Sequence, residues 1–355
     1  MRRLVVLLLV VAGLTLVARG AIPCAGWQLQ PDCYVALHPG PVENTFGLVA
    51  VDEARTYPPT GKLLLTTVLV ESKLDLLEWV AGPFRTGVDQ VPRERIYPPG
   101  SDREEVRQQN VALMVDSQLE ATLAALRELG YEFDTDFDGA RVVEVMADTA
   151  AEGRLEVGDV IVAVDGTTVS DNRGLVERIQ DAAPGDEVTL TVQREGQRRE
   201  ITLQLGAASD DPSVAQVGVQ VTSHLELPVD IAIDAGVIGG PSAGLVFALS
   251  MVELLEPGDL LGGAVVAATG TIDRDGNVGG VGGIRQKVRA ASSPEDGEPA
   301  SVFLVPQGNI VEAETASVER DILLVPVGTL ADAVAALRAI RDGEEPVDAR
   351  ALSAP

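Results

Sequence analysis

The chain has 355 residues, of which 46% are hydrophobic, enough for two or three modest cores. Its formal net charge of −27 argues against nucleic acid or anionic lipid as a general partner. The sequence contains no G-x-x-x-x-G-K-[ST] phosphate loop, and its two histidines, His38 and His224, form no H-E-x-x-H motif. We therefore predict no nucleotide, no metal and no other cofactor.

The first residues, 1–20, form a membrane-targeting segment. Two arginines precede an uncharged apolar run from Leu4 to Ala18, which is short for a spanning helix and typical of a signal peptide. The arginines should stay inside the cell, so we predict that the rest of the chain is extracytoplasmic. Whether the segment is cleaved stays open. Cys24 and Cys33 follow, and they either form a disulfide or remain unrelated thiols.

Residues 131–207 alternate short strands, tight turns and one helix. The predicted elements are strands at Val142–Val145, Val188–Arg194 and Arg199–Leu205 and a helix at Gly174–Ala182. With Ala150–Ile161, which ends in Gly-Asp-Val-Ile, the region resembles a PDZ domain. PDZ domains add extended peptides or chain ends to a sheet edge, so the resemblance implies peptide or unfolded-protein partners. The candidate peptide-binding residues are Gly139, Ala140 and Arg141, as a carboxylate-binding loop, with Val142.

Ser242 lies at the start of a predicted buried helix, behind two glycines and Pro241. Proline suits the first turn of a helix, and the run to Leu255 is apolar on nearly every face. Such a serine can act as a nucleophile if a base takes its proton and backbone N–H groups stabilise the oxyanion. Because Pro241 has no N–H, the candidate donors are Gly240 and Ser242. The alternative is that Ser242 only caps the helix.

Lys287 is one of only three lysines, with Lys62 and Lys73. A helix over 283–291 would have one apolar face with Lys287 at its edge. The opposite, polar side would carry Arg285, Gln286 and Arg289. Burial lowers the pKa of a lysine, so the amine could accept the proton of a serine near neutral pH. The alternative is a lysine whose stem covers apolar surface while its amine reaches water.

The region from Val229 to Leu337 resembles the second half of the proteolytic domain of Lon. Five ordered motifs carry the resemblance: Ile231–Asp234; Gly240–Gly244; Ala268–Ile272 with Gly276–Val278; Gly282–Lys287; and Val302–Pro306 with Asn309. The resemblance implies a serine–lysine peptidase with Ser242 as nucleophile, Lys287 as general base and Thr269 in support. Thr271 departs from the pattern, since many Lon proteins have glutamate there.

Two earlier segments, Gly61–Val68 and Val111–Leu126, resemble an early strand and the first long helix of the same fold. In Lon the next element corresponds to the strand that begins near Val229, but here the PDZ-like residues intervene. We therefore predict an α+β fold in which a PDZ domain is inserted into a Lon-type proteolytic domain that follows an N-terminal membrane anchor helix. The predicted bounds are 34–130 and 208–340 for the two halves and 341–355 for a disordered tail. Three independent domains in a row are the alternative.

The whole order resembles the bacterial membrane-anchored PDZ–Lon peptidase family. The resemblance implies a single-pass anchor in the cell membrane at residues 1–20. It also implies an ATP-independent, extracytoplasmic serine endopeptidase whose PDZ domain captures substrates, and it leaves a homo-oligomer open. Two alternatives are a PDZ scaffold with an inactive peptidase fold and a carboxyl-terminal processing peptidase, which also joins a PDZ domain to a serine–lysine pair.

Overall fold

The computed structural model describes residues 31–52, 54–82, 85, 87–98, 103–133, 138–208, 211–225, 227–236, 238–316 and 321–344. The chain divides into two compact units, one built from the segments up to Tyr131 and from Val229 onward, the other from Glu132–Pro228. The predicted anchor at 1–20 and most of the predicted tail lie outside the described residues. Within the described ranges, no helix is long and apolar enough to cross a membrane.

The first unit has helices on both faces of a mixed sheet. Its strands are β1 (Tyr34–Asn44), β2 (Val49–Asp52), β3 (Lys62–Glu71), β4 (Asp89–Pro92), β13 (Asp230–Ile233), β14 (Val265–Ala268), β15 (Thr271–Ile272), β16 (Val278–Gly279), β17 (Val302–Pro306) and β18 (Leu323–Val327). Its helices are α1 (Leu76–Ala81), α2 (Arg103–Glu128), α4 (Gly244–Leu255), α5 (Ile284–Ser292), α6 (Ile310–Glu314) and α7 (Leu330–Arg341).

The main sheet has the strand order β18-β17-β14-β3-β1-β4. β18, β17, β14 and β3 run parallel to one another. β1 pairs antiparallel with β3 on one side and with β4 on the other. Parallel strands covered on both faces have continuous apolar sequences, and Val302–Pro306 is buried at every position. The short pairs β2–β13 and β15–β16 lie outside this sheet.

Alternate residues along the central strands enter two different cores. Leu63 and Leu65 of β3 pack into the core that contains α2, α4 and α7, while Leu64 between them packs with α5. The period of two in a strand is the cause, since successive side chains point to opposite faces. The α4 helix, predicted as buried from its uniformly apolar sequence, has no exposed residue and supplies Leu245, among others, to the first core.

The second unit is a smaller sheet with one helix packed on it. Its elements are β5 (Gly139–Val145), β6 (Val160–Val164), β7 (Thr167–Thr168), α3 (Asn172–Gln180), β8 (Glu187–Arg194), β9 (Gln197–Gln204), β10 (Gly206–Ala207), β11 (Ala215–Gln216) and β12 (Val219–His224). The sheet has the order β12-β5-β6-β8-β9, with β7 paired to β6, and its antiparallel strands enclose a separate apolar core.

The boundary predicted between residues 207 and 208 is wrong by about two strands. β12 pairs with β5 along its length, and Ala215 and Val217 are buried in the core of the second unit. The second half of the first unit therefore begins at Val229. A long-range pairing of this kind leaves no local trace, because the alternation of Val219 and Val221 with polar neighbours suits a strand of either unit.

Cys33, at the entry to β1, is buried and disulfide-bonded. The other cysteine of the chain, Cys24, lies outside the described residues. Disulfides persist in oxidising compartments, so the bonded state of Cys33 agrees with the predicted location outside the cytoplasm.

Candidate active site

Three polar residues far apart in sequence meet at the carboxyl end of β14. Thr269 follows the last residue of that strand, and Ser242 lies in a short 3-10 turn, Pro241–Ala243, that leads into α4. Lys287 lies in the first turn of α5. Because α4 and α5 cover opposite faces of the sheet, only their starts can approach each other at the strand end. Helix starts and strand ends meet in this way at ligand sites of α/β sheets.

Direct hydrogen bonds join these three residues. Lys287 Nζ lies 2.8 Å from Ser242 Oγ and donates to it, and it also donates to Thr269 Oγ1 at 2.9 Å. Thr269 Oγ1 in turn donates to the carbonyl oxygen of Ser242 at 3.0 Å. Thr269 and Lys287 are buried, whereas Ser242 is half-buried. The amine therefore contacts both hydroxyls, and that of Ser242 is the one that solvent and a substrate can reach.

Burial lowers the pKa of Lys287 from 10.5 to about 8, because desolvation disfavours the charged ammonium. A shift of this size raises the neutral fraction of the amine near pH 7 by roughly 300-fold. The helix prediction for 283–291 is confirmed by α5, and Lys287 is only 3% exposed. A lysine whose amine reaches water is therefore excluded in this structure.

The loop before α5 is held by contacts on two sides, which position the start of the helix and Lys287. Gly283 adopts a left-handed conformation with φ of 67°, and a Cβ there would lie 2.7 Å from a Val68 side-chain carbon on β3. Asn309 holds the same loop from the other side, because its Oδ1 accepts from Val281 N at 2.8 Å and its Nδ2 donates to Val281 O at 3.0 Å. The side-chain amide of Asn309 thus satisfies both backbone groups of Val281, as a neighbouring strand would.

The polar side of α5 is partly covered by another element of the fold. Gln286 is 2% exposed, and its Nε2 donates to Asp89 Oδ2 at 2.6 Å. Arg285 forms an ion pair with the same carboxylate at 2.6 Å. The reason is the short strand β4, whose Asp89 faces α5. The helical pattern of α5 shows which residues are polar but not that another strand covers them.

The structure contradicts the prediction that Gly240 supplies an oxyanion donor. Its N–H donates to the carbonyl oxygen of Asn110 on α2 at 2.8 Å, and Gly240 has φ of 88°. The same helix holds the next residue, since Ser117 Oγ donates to Pro241 O at 3.1 Å. The N–H of Ser242 lies in the first turn of its helix, where no carbonyl precedes it as an intrahelical acceptor. Ser242 N therefore remains the candidate donor.

The two histidines have other partners. His38 Nε2 donates to Glu71 Oε2 at 3.0 Å across the β1–β3 pair. His224 belongs to the second unit, where its Nδ1 accepts from the guanidinium of Arg141. Lys287 is thus the basic group that contacts Ser242 in the described structure. The described residues contain no cluster of acidic, histidine or cysteine side chains that could hold a metal ion.

The structure contradicts the prediction of a carboxylate-binding loop in the second unit. Gly139, Ala140, Arg141 and Val142 belong to β5, which pairs with β12 on one side and β6 on the other. A strand with both edges paired cannot accept a peptide by strand addition. The strand next to α3 with an edge unpaired within the described residues is β12 instead.

A groove of about 480 Å³ lies between β12, α3 and the loop before β12. The residues that line it are Met146, Leu175, Val176, Ile179, Gln180, Ala208, Asp211, Val214, Ala215, Gln216, Val217, Gly218, Val219 and Val221. Most are apolar, so the groove suits the side chains of an extended peptide paired to β12. Sequence reasoning missed it, although the alternation of Val219 and Val221 was a usable signal.

Two protein-family models match the chain. The model of the PDZ domain matches residues 107–205, and that of the Lon protease (S16) C-terminal proteolytic domain matches residues 187–337. The two matches overlap at 187–205, and each spans less than half of the chain. Both end or begin inside the second unit as the structure bounds it, at Glu132–Pro228.

Relatives and solved structures match shorter stretches. A probable periplasmic serine endoprotease, DegP-like, from Halomonas elongata is 34% identical over 123 residues, which is 31% of this chain and 26% of the relative. The PDZ domain of an SdrC-like protein from Listeria monocytogenes is 21% identical with a TM-score of 0.23, over 25% of this chain and 92% of that one. The HtrA-type protease AlgW with decapeptide is 32% identical with a TM-score of 0.19, over 23% and 24%.

The chain spans about a quarter of the length of the DegP-like relative. The TM-scores are too low to support an inference from either solved structure. The family models and the named relative together support a PDZ-containing serine peptidase with a mixed α/β fold.

Proposed function

We propose that the protein is an ATP-independent serine endopeptidase of the Lon type, with Ser242 as nucleophile and Lys287 as general base. One observation carries the proposal, namely the 2.8 Å contact between Ser242 Oγ and the buried amine of Lys287. The lowered pKa of Lys287 supports it, because a neutral amine is the form that can accept a proton. Thr269 orients the amine through the bond to its Nζ.

The proposed reaction proceeds in two halves. Ser242 Oγ attacks the peptide carbonyl carbon as its proton passes to the neutral Lys287 Nζ, which gives a tetrahedral oxyanion and an ammonium. Ser242 N–H is the candidate donor to that oxyanion. Collapse breaks the C–N bond, and Lys287 returns the proton to the leaving amine. Water then attacks the acyl-enzyme with Lys287 again as base, which releases the acid and restores the serine.

The proposed location is extracytoplasmic. The disulfide state of Cys33 and the periplasmic name of the DegP-like relative support it. Anchoring by residues 1–20 is part of the proposal and rests on their apolar sequence and on the resemblance to a membrane-anchored family. Substrates would be short or partly unfolded chains, captured along β12 in the groove of the second unit. Capture and cleavage within one chain raise the effective concentration of substrate at the catalytic residues.

The first experiment compares variants of the proposed catalytic pair with a variant of an exposed lysine, Lys62. We expect Ser242→Ala, Lys287→Ala and Lys287→Arg each to lose nearly all cleavage of an unfolded protein, because a guanidinium stays protonated and cannot act as the base. The matched control is Lys62→Arg, since Lys62 is about half exposed and pairs with Glu298. Its activity should be unchanged.

Nucleotide dependence and fold are checked in the same assay. Cleavage by the unmodified protein should be the same with and without ATP, and thermal unfolding should show that the inactive variants are folded. The double variant of Ser242 and Lys287 should be scarcely worse than either single variant, because the pair acts as a unit. Substantial activity in folded Lys287→Arg would contradict the assignment, as would full activity of Ser242→Ala.

A second experiment tests capture. Val176 lines the groove and is 43% exposed, so Val176→Arg should block the groove without disturbing the core. The control is Val157→Arg, at a valine that is 67% exposed and outside the groove. We expect Val176→Arg to reduce cleavage of protein substrates much more than cleavage of a small ester. Equal losses on both substrates would show that the groove does not select substrates.

A further inference from the structure

The end of the groove near the loop before β12 carries negative charge. Among the described residues that line the groove, Asp211 is the only charged one. Its carboxylate accepts hydrogen bonds from Ser213 N at 2.9 Å and from Ser213 Oγ at 2.6 Å. These two bonds hold the pKa of Asp211 below its ordinary value, so the group is ionised at every pH at which the protein would work.

The orientation of a bound peptide places its carboxyl end at this carboxylate. Within the sheet of the second unit, all recorded strand pairs are antiparallel. A peptide that continues this pattern on β12 runs opposite to it, so its carboxyl-terminal part lies beside Val219, where β12 begins. Asp211 and Val214–Gly218 line the groove and belong to the segment of chain that leads directly into β12 at Val219. A free chain-end carboxylate would therefore meet a negative charge, with no lysine or arginine among the described lining residues.

We propose that this groove takes internal, extended segments of partly unfolded proteins that place a lysine or arginine beside Asp211, in preference to free carboxyl-terminal chain ends. The inference rests on the proposed capture function and adds the class of segment captured. Apolar side chains at alternate positions of the segment would enter the groove next to Val219 and Val221, because strand side chains alternate in direction. The charge of Asp211 then selects for a basic residue and against a terminal carboxylate.

The test measures binding of matched peptides to the full chain carrying Ser242→Ala, which prevents cleavage. One fluorescent ten-residue peptide with valine at alternate positions is made in four forms. The forms end in a carboxylate or a carboxamide, and each has lysine or glutamine at the position that would face Asp211. Because Asp211 is exposed and its field is screened, we expect the amide with lysine to bind at least about threefold more tightly than the acid with glutamine. The preference should shrink as salt is added.

The variant Asp211→Asn separates charge from shape. An asparagine side-chain oxygen can still accept from Ser213, so the turn is kept while the charge is removed. The control is Asp186→Asn, because Asp186 is an exposed aspartate of the same unit that also accepts from a nearby backbone N–H, that of Ala183 at 2.9 Å, but does not line the groove. Asp211→Asn should abolish the preference for the amide and for lysine, and Asp186→Asn should leave both unchanged.

Two results would overturn the inference. One is tighter binding of the free acid than of the amide, and the other is a preference that survives in Asp211→Asn. Either result would leave groove capture itself in place. If no form of the peptide binds, both the inference and the capture part of the proposed function fail, while hydrolysis of a small ester by the unmodified protein still reports on the serine–lysine pair.

Discussion

Replacing Thr269 by valine tests the proposed base through its pKa. Valine matches the shape of threonine but lacks the hydroxyl, so Lys287 loses the acceptor at 2.9 Å and keeps only Ser242 Oγ. The carbonyl of Ser242 loses the threonine donor but still accepts from Gly270 N at 3.0 Å. The substitution therefore removes one stabilising contact of the ammonium and leaves no backbone group without a partner.

The size of the effect follows from that contact. A hydrogen bond to a charged group contributes about 1.5–3 kcal/mol, and about 1.4 kcal/mol corresponds to one pKa unit. Loss of the bond should lower the pKa of Lys287 from about 8 by roughly one unit or more. The amine also loses a contact that orients it, so kcat/KM on the alkaline plateau should fall on the order of 10-fold, part of what general-base catalysis contributes.

The assay is the pH profile of kcat/KM on a small ester, which reports the pKa of the base in the free enzyme. For the unmodified protein, activity should rise about tenfold per pH unit below 8 and level off above it. Thr269→Val should give a lower plateau that begins at more acidic pH. The control is Thr45→Val, because Thr45 is also buried and its Oγ1 donates to Leu63 O at 3.0 Å.

Two outcomes would refute the reasoning. If Thr269→Val loses activity equally at all pH values with an unchanged midpoint, Thr269 does not act on the amine. If the midpoint moves to more alkaline pH, the threonine does not stabilise the ammonium. A shifted midpoint in Thr45→Val would show that loss of any buried hydroxyl has this effect.

Three further predictions concern stability and the loop that positions α5. Burial raises the pKa of Glu253 from 4.5 to about 7, so the free energy of unfolding falls as pH rises from 4.5 through 7. Glu253→Gln should therefore stabilise the protein at pH 8 by at most about 3 kcal/mol and have little effect near pH 4.5. Chemical denaturation at the two pH values measures both effects. Asn309→Ala removes both bonds to Val281 and should raise the midpoint of the activity profile, because a looser α5 lets water reach the buried amine; an unchanged midpoint would contradict this. Gly283→Ala should destabilise the protein by about 1–3 kcal/mol because of its left-handed conformation and contact with β3, whereas Gly282→Ala, where an added Cβ meets nothing within 4 Å, should change the melting temperature little.

Much of the candidate site was determined by the sequence itself. A proline and glycines before a uniformly apolar run indicate a buried helix with a serine at its start, and α4 has that form. A lysine at the edge of an amphipathic helix indicates that its stem lies against apolar surface, and the structure shows that its amine is buried as well. These features are local, since they depend on helix geometry and on the chemistry of a few neighbouring residues.

The contacts between these elements were decided by the tertiary structure. Nothing local shows that the starts of α4 and α5 converge at the end of β14, because they lie on opposite faces of a sheet whose central strand, β3, comes from the other half of the chain. The bond between Gly240 and Asn110 likewise depends on where α2 packs, and it removes a donor that the sequence alone left available. The burial of Gln286 against Asp89 likewise depends on where β4 packs.

The second unit shows the same division. Its strands β8 and β9 and its helix α3 were indicated by the periodicity of apolar residues. The sequence did not indicate which strand lies at the edge of the sheet, because strand order is set by pairings between residues distant in sequence. β12 joins β5 from about 80 positions away, and this pairing both extends the unit to Pro228 and moves the peptide groove from β5 to β12. The residues determined the local elements, and the long-range hydrogen bonds determined which of their edges and faces remain accessible.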